Sequence, residues 1–140
     1  MKNYEELEVW QKAHALTVRL YEETATFPRS ELFGLTSQIR RSAGSIGANL
    51  AEGCDRWSEN ELARYVQIAM GSASELQNHI RLAKDLGFLT EAAYSSLLKA
   101  VIGIRQMLTA LLQTLRRTRN TPPPPPADGE RRMAKRGVTS

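Results

Sequence analysis

Cysteine and histidine are scarce in this chain of 140 residues, proline is confined almost wholly to one run, and each scarcity excludes something. A single cysteine, Cys54, leaves no partner for an internal disulfide and suits a reducing compartment, so the cytoplasm is the expected location. Two histidines, His14 and His79, offer little to a metal centre. Glu75 and His79 stand four apart and could face one another, but two ligands are too few, and the Glu-x-x-His repeats of di-iron bundles do not occur. Walker, Cys-x-x-Cys and Gly-x-Gly-x-x-Gly patterns are absent as well. Catalysis, a metal and a cofactor are therefore not expected, and a metal-dependent bundle enzyme is a remote alternative. No run of 18 apolar residues exists, and the opening MKNYEELEVW lacks the apolar stretch of a secretory signal, so no membrane partner is expected.

What is present is helical periodicity. Only Pro28 interrupts residues 1–119, and the punctuation divides them into four segments. The first, from about Leu7 to Thr26, stops at Phe27-Pro28. The second is expected to begin after Ser30 as N-cap and to end with Gly53 at C′. Ser58-Glu59-Asn60-Glu61 has the form of a capping box and opens the third, which stops at Leu86-Gly87. Thr90 is the N-cap candidate for the fourth.

Apolar residues recur at steps of three and four in every segment, and no alternating stretch competes. The expected stripes are Val9, Ala13, Leu16, Leu20 and Phe27; Leu32, Leu35, Ile39, Ala43, Ile46 and Leu50; Leu62, Tyr65, Ala69, Ser72, Leu76, Ile80 and Ala83; and Tyr94, Leu97, Val101, Leu108, Leu111 and Leu115. Connections as short as 27–30, 54–57 and 87–89 force consecutive helices to lie antiparallel. The expected fold is all-α, an up-down-up-down four-helix bundle over residues 1–119.

Several features ask for more than a monomer. Ala43, Gly44, Gly47, Ala48 and Ala51 form a small-residue patch in the second segment, and Ala69, Gly71, Ser72 and Ala73 form another in the third. Each interior glycine costs about 1 kcal/mol relative to alanine, which suggests close backbone approach. The first and fourth segments are apolar over more than one stripe, and surplus apolar surface marks oligomer interfaces. Beside the core stripe runs a polar one, Gln38, Arg41, Ser45, Asn49 and Glu52, with Ser72 and Glu75 as cross-helix partners and an Arg41–Glu75 pair sterically plausible. It could read a ligand; as a structural network it would set helix register or line a subunit interface.

Charge is uneven. Residues 1–115 hold 12 Lys/Arg and 13 Asp/Glu, a net −1, whereas residues 116–140 hold 7 against 2, a net +5. Residues 120–140 contain five consecutive prolines and then a basic segment with almost nothing to bury, and are expected to form a disordered tail. Such a tail can bind a phosphate backbone by counterion release or simply solubilise the chain. In an up-down-up-down bundle the fourth helix ends at the same pole as the turn between the second and third. Arg56, Arg64, Arg116, Arg117 and Arg119 then gather there with the tail, though Glu5, Glu6, Glu8, Glu52, Asp55, Glu59 and Glu61 share that end. These arginines, with Arg40 and Arg41, are the candidate nucleic-acid-binding residues.

Several runs resemble a known family. They are Leu7-x-Val9-Trp10-Gln11-Lys12-Ala13, Phe27-Pro28-x-x-Glu31-x-Phe33-Gly34-Leu35-x-x-Gln38-Ile39-Arg40-Arg41, Ser45-Ile46-x-x-Asn49-Leu50-Ala51-Glu52-Gly53 and Ala69-x-Gly71-Ser72-x-x-Glu75-Leu76. Together they resemble the four-helix-bundle proteins encoded within 23S ribosomal RNA intervening sequences, over about residues 5–115. The resemblance implies an up-down bundle that assembles as a homopentamer. It also implies kinship with the accessory variability determinant of diversity-generating retroelements, a pentamer that binds nucleic acid and a reverse transcriptase. The expected partners are copies of the chain itself, RNA or DNA, and, as the alternative, another protein for which the bundle is a scaffold.

Overall fold

Three of the four long helices begin where a side chain replaces a missing backbone partner. The structure, a computed structural model, describes residues 3–56 and 58–120. It contains α1 (Glu8–Thr24), α2 (Leu35–Cys54), α3 (Glu59–Asp85) and α4 (Glu91–Asn120), with single 3-10 turns at Tyr4–Glu6 and Arg29–Glu31. Among the described residues there is no strand. Residues 121–140, where the disordered tail was expected, lie outside the described residues.

Ser58 Oγ accepts from the Glu61 N–H at 3.1 Å, and Thr90 Oγ1 accepts from the Ala93 N–H at 3.1 Å, so both expected caps form. Gly87 follows α3 at φ +81°, the left-handed conformation that glycine adopts without steric cost. The ends of α2 depart from the sequence reading. Ser30 sits inside a 3-10 turn, and the helix starts only at Leu35, after a non-helical Gly34 (φ −110°, ψ −113°). There the Glu31 carboxylate accepts from the Leu35 N–H at 3.2 Å. At the other end Gly53 is helical and buried, and Cys54 closes the helix. The reason is packing: a Cβ on Gly53 would lie 2.9 Å from both Leu62 Cδ1 and Tyr65 Cβ of α3. Replacing Ser58 or Thr90 with alanine is expected to lower stability by about 1 kcal/mol each, read from the urea midpoint, while Ser30→Ala leaves it unchanged.

Cross-helix contacts fix the direction of every helix. Arg40 reaches Thr24 and Tyr21, and Gly47 packs on Trp10, so α1 and α2 are antiparallel. Arg41 meets Glu75, Ser45 meets Ser72 and Arg56 meets Tyr65, so α2 and α3 are antiparallel. Arg105 bonds Gln77 and Lys84 bonds Glu91 between α3 and α4, and Arg19 bonds Ser96 between α1 and α4, closing the bundle. The α1–α2 and α3–α4 connections share one pole, where the Phe27 and Phe88 rings lie 5.4 Å apart.

The core follows the expected stripes of α1 and α2, with Leu32 exposed in the connection before α2, and that of α4 except at Tyr94 and Leu111, which are half-buried. On α3 the buried set is Val66, Ala69, Ala73, Leu76, Ile80 and Ala83. Leu62, Tyr65 and Ser72 instead occupy the flank that meets α2, because two seams run along this helix and the sequence pattern merged them. On α4, Ile104 and Leu112 are buried within the bundle, which reduces the apolar surplus expected there. Glu91–Thr118 is long and apolar enough to cross a bilayer by length and mean hydropathy (1.3) alone. Its apolar residues divide between the buried stripe, half-buried Leu98, Met107 and Leu111, and exposed Ile102.

Candidate nucleic-acid interface

The polar stripe of α2 becomes a hydrogen-bonded seam along α3. Arg41 pairs with Glu75 and also donates through Nη2 to Gln38 Oε1 at 2.9 Å. The Ser45 and Ser72 hydroxyls lie 2.9 Å apart, and Asn49 Nδ2 donates to the Ser45 carbonyl at 2.8 Å and to its Oγ at 3.0 Å. Glu52 pairs with Arg56, whose Nη2 also donates to the Tyr65 hydroxyl at 2.9 Å. Glu75 further faces His79 Nε2 at 3.3 Å, while His79 Nδ1 is buried with no hydrogen-bond partner among the described residues. Of these contacts Arg41–Glu75 and Ser45–Ser72 cross from α2 to α3, while those of Gln38, Asn49 and Glu52 stay within α2 and the turn after it.

The candidate arginines divide into two groups at different heights. Arg40 and Arg41 lie near the start of α2. Arg40 donates from Nε to Thr24 Oγ1 at 2.9 Å and from Nη2 to the Tyr21 carbonyl at 3.3 Å, with its guanidinium 4.6 Å from the Tyr21 ring centre. Arg56 and Arg64 lie near the α2–α3 turn, with guanidinium groups 5.2 and 5.4 Å from the Tyr65 ring centre. The α3–α4 register that matches Gln77 with Arg105 brings the exposed Arg116 and Arg117 level with Arg64 and Tyr65. Arg119 belongs to the final turn of α4.

Charge is less available than the sequence suggests. Carboxylates of Glu75, Glu52 and Glu61 stand beside Arg41, Arg56 and Arg64 respectively. The field of Tyr65 and the hydrogen bond to Glu52 raise the Arg56 guanidinium above its ordinary value, so it stays charged at any working pH. A phosphate approaching any of these three must compete with a carboxylate already in place.

Among the candidates Arg40 escapes that limit, bonding the Thr24 hydroxyl and the Tyr21 carbonyl. Two arginines outside the candidates escape it as well, Arg105 by a neutral partner and Arg81 in part. Arg105 on α4 and Arg81 on α3 line one groove with Ser74, Gln77, Asn78 and Tyr94. The available signal was the acid-free polar strip Ser74, Gln77, Asn78 and Arg81 on one face of α3; the contribution of α4 depends on a register that a linear sequence does not display. No group of three or more His, Cys, Asp or Glu side chains comes together among the described residues.

Residues 5–110 match the profile of the 23S rRNA-intervening sequence protein family, in agreement with the motif resemblance. No curated protein matches the chain. A crystal structure from Bacteroides thetaiotaomicron is similar, that of a protein with unknown function from the S23 ribosomal protein family. The TM-score is 0.69 at 24% identity, covering 75% of this chain and 95% of that one, a likeness of fold.

Proposed function

Because this chain belongs to the 23S rRNA-intervening sequence protein family, we propose that it is a non-enzymatic homo-oligomeric bundle, a pentamer, that binds RNA or DNA weakly through phosphate contacts. The observation that carries this reading is the pole where exposed Arg116 and Arg117 stand level with Arg64, and Arg56 shares the Tyr65 ring with Arg64. Arg119 lies in the final turn of α4, the residues after it are net basic in sequence, and Arg40 and Arg41 are secondary contacts. Copies assembled in a ring would repeat this pole and turn weak contacts into useful avidity. Support for assembly comes from apolar side chains left outside the core, Val18 and Tyr21 on α1 and Ile102 on α4. A cytoplasmic location fits the single cysteine.

A second reading has its own support. Phe33 is 93% exposed beside exposed Leu32, and Leu86 is exposed at the same pole. A pole of this kind suits a scaffold or adaptor that docks another protein and has no nucleic-acid role.

Binding of the full chain to duplex and to structured RNA across a salt series separates the two. Phosphate binding predicts a steep loss of affinity with salt, and the slope becomes shallower by about 1 for each contacting arginine neutralised in R116Q/R117Q/R119Q. Absence of binding at low salt would remove the nucleic-acid reading and leave the scaffold. Light scattering tests assembly, and a monomer at micromolar concentration contradicts the ring.

A further inference from the structure

Among the described residues Arg41, Arg56, Arg64 and Arg81 pair with carboxylates, whereas Arg105 is held by a neutral amide. Between α3 and α4, Ser74, Gln77, Asn78, Arg81, Tyr94 and Arg105 line an open groove of about 300 Å³. None of the six is acidic. Arg105 Nη1 donates to Gln77 Oε1 at 2.7 Å, so a neutral amide orients the guanidinium without cancelling its charge. Arg81 is held by Asp85, but both bonds, at 3.2 and 3.0 Å, are made by Nε, and the terminal Nη groups of the fork are not used on that carboxylate. Asp85 first, then Tyr94, raise Arg81 above its ordinary value, which keeps it cationic. Beyond Arg105 the groove continues over Met70 and Ile102, an apolar shelf on which a sugar or a base can rest.

Two guanidinium groups, one from each helix, with side-chain amides and hydroxyls between them, make a surface of hydrogen-bond donors. Guanidinium forks match phosphate oxygens in geometry and charge, and amide and hydroxyl side chains complete the usual set of backbone contacts. At Arg105 a polyanionic strand has no paired carboxylate to displace, unlike at Arg41, Arg56 or Arg64, and at Arg81 it meets Nη groups that are not bonded to Asp85.

We propose that the α3–α4 groove binds the phosphodiester groups of a nucleic-acid strand between Arg81 and Arg105. This rests on the nucleic-acid reading above and moves its principal contact from the pole to the side of the bundle.

The test uses the full chain and a short fluorescent oligouridylate, with structured RNA as a second probe. R81Q/R105Q is expected to raise Kd about tenfold at low salt and to make the log–log salt slope shallower by about 2, while R105K keeps the slope. Side-chain amide resonances of Gln77 and Asn78 are expected to shift on titration with the oligouridylate. If the natural sequence binds and R81Q/R105Q binds with unchanged Kd and slope, the groove is refuted and the pole arginines remain. If those amide signals stay still at saturation, the groove is likewise refuted. Failure of the natural sequence to bind either probe at low salt would overturn the groove and the nucleic-acid reading together. Urea unfolding of each variant confirms that the bundle is intact, and R105Q alone decides the matter if the double variant is unfolded.

Discussion

Leu76→Ala is expected to destabilise the bundle by about 2–5 kcal/mol, the range for removing a buried leucine where neighbours only partly collapse into the cavity. Leu76 is 0% exposed and sits on α3, the helix that packs most extensively against its neighbours on both sides. The lost side chain would leave a void that the other rods cannot close without sliding their own seams. The readout is the urea midpoint with an unchanged slope, which separates lost stability from a changed unfolded state. Leu82 lies further along the same helix and is 44% exposed, so Leu82→Ala should move the midpoint by no more than about 0.5 kcal/mol. Equal effects from the two substitutions would mean that α3 turns a different face to the core.

Gly53→Val is expected to cost at least about 1–3 kcal/mol, by overpacking instead of by a cavity. The first added carbon would already stand 2.9 Å from Leu62 Cδ1 and from Tyr65 Cβ. Leu62 can swing its terminal methyl aside, but Tyr65 Cβ is fixed to the α3 backbone, so α3 itself must move. The same displacement would disturb the Arg56–Tyr65 hydrogen bond at the pole. Gly44→Ala is the counterpart of opposite sign. A Cβ there meets nothing within 4 Å, so the monomer should gain about 0.5–1 kcal/mol from improved helix propensity. If Gly44 is the point where a second copy approaches, that gain will come with weaker association at low concentration. The two measurements therefore report on packing inside the bundle and between bundles.

The two glycines illustrate how far composition can be read. In the sequence Gly44 suggests close approach, whereas Gly53 reads as the C′ glycine that ends the second helix. In the fold Gly53 is tightly opposed by α3, whereas Gly44 borders a groove with Trp10 and His14 on its far side. Similarly, Arg41, Arg64 and Arg105 are equivalent as letters. Arg64 has its acid, Glu61, three residues back on the same helix, which a spacing argument can find. Arg41 takes Glu75 from α3, a pair that the antiparallel register made conceivable. Arg105 takes the neutral Gln77 amide, and nothing in the spacing distinguishes that outcome from another carboxylate pair.

The sequence by itself determined the four helices, the Ser58 and Thr90 caps, the antiparallel order and the family, because helix periodicity, capping and short connections act over a few residues and leave a repeating trace. Tertiary structure alone decided where α2 begins, which side of α3 is core, and which arginines keep a charge free of carboxylates. Those outcomes depend on how one rod is set against another, across separations such as the 28 residues between Gln77 and Arg105. A shift of one turn along a helix moves every such partner by about 5.4 Å while leaving the sequence pattern unaltered.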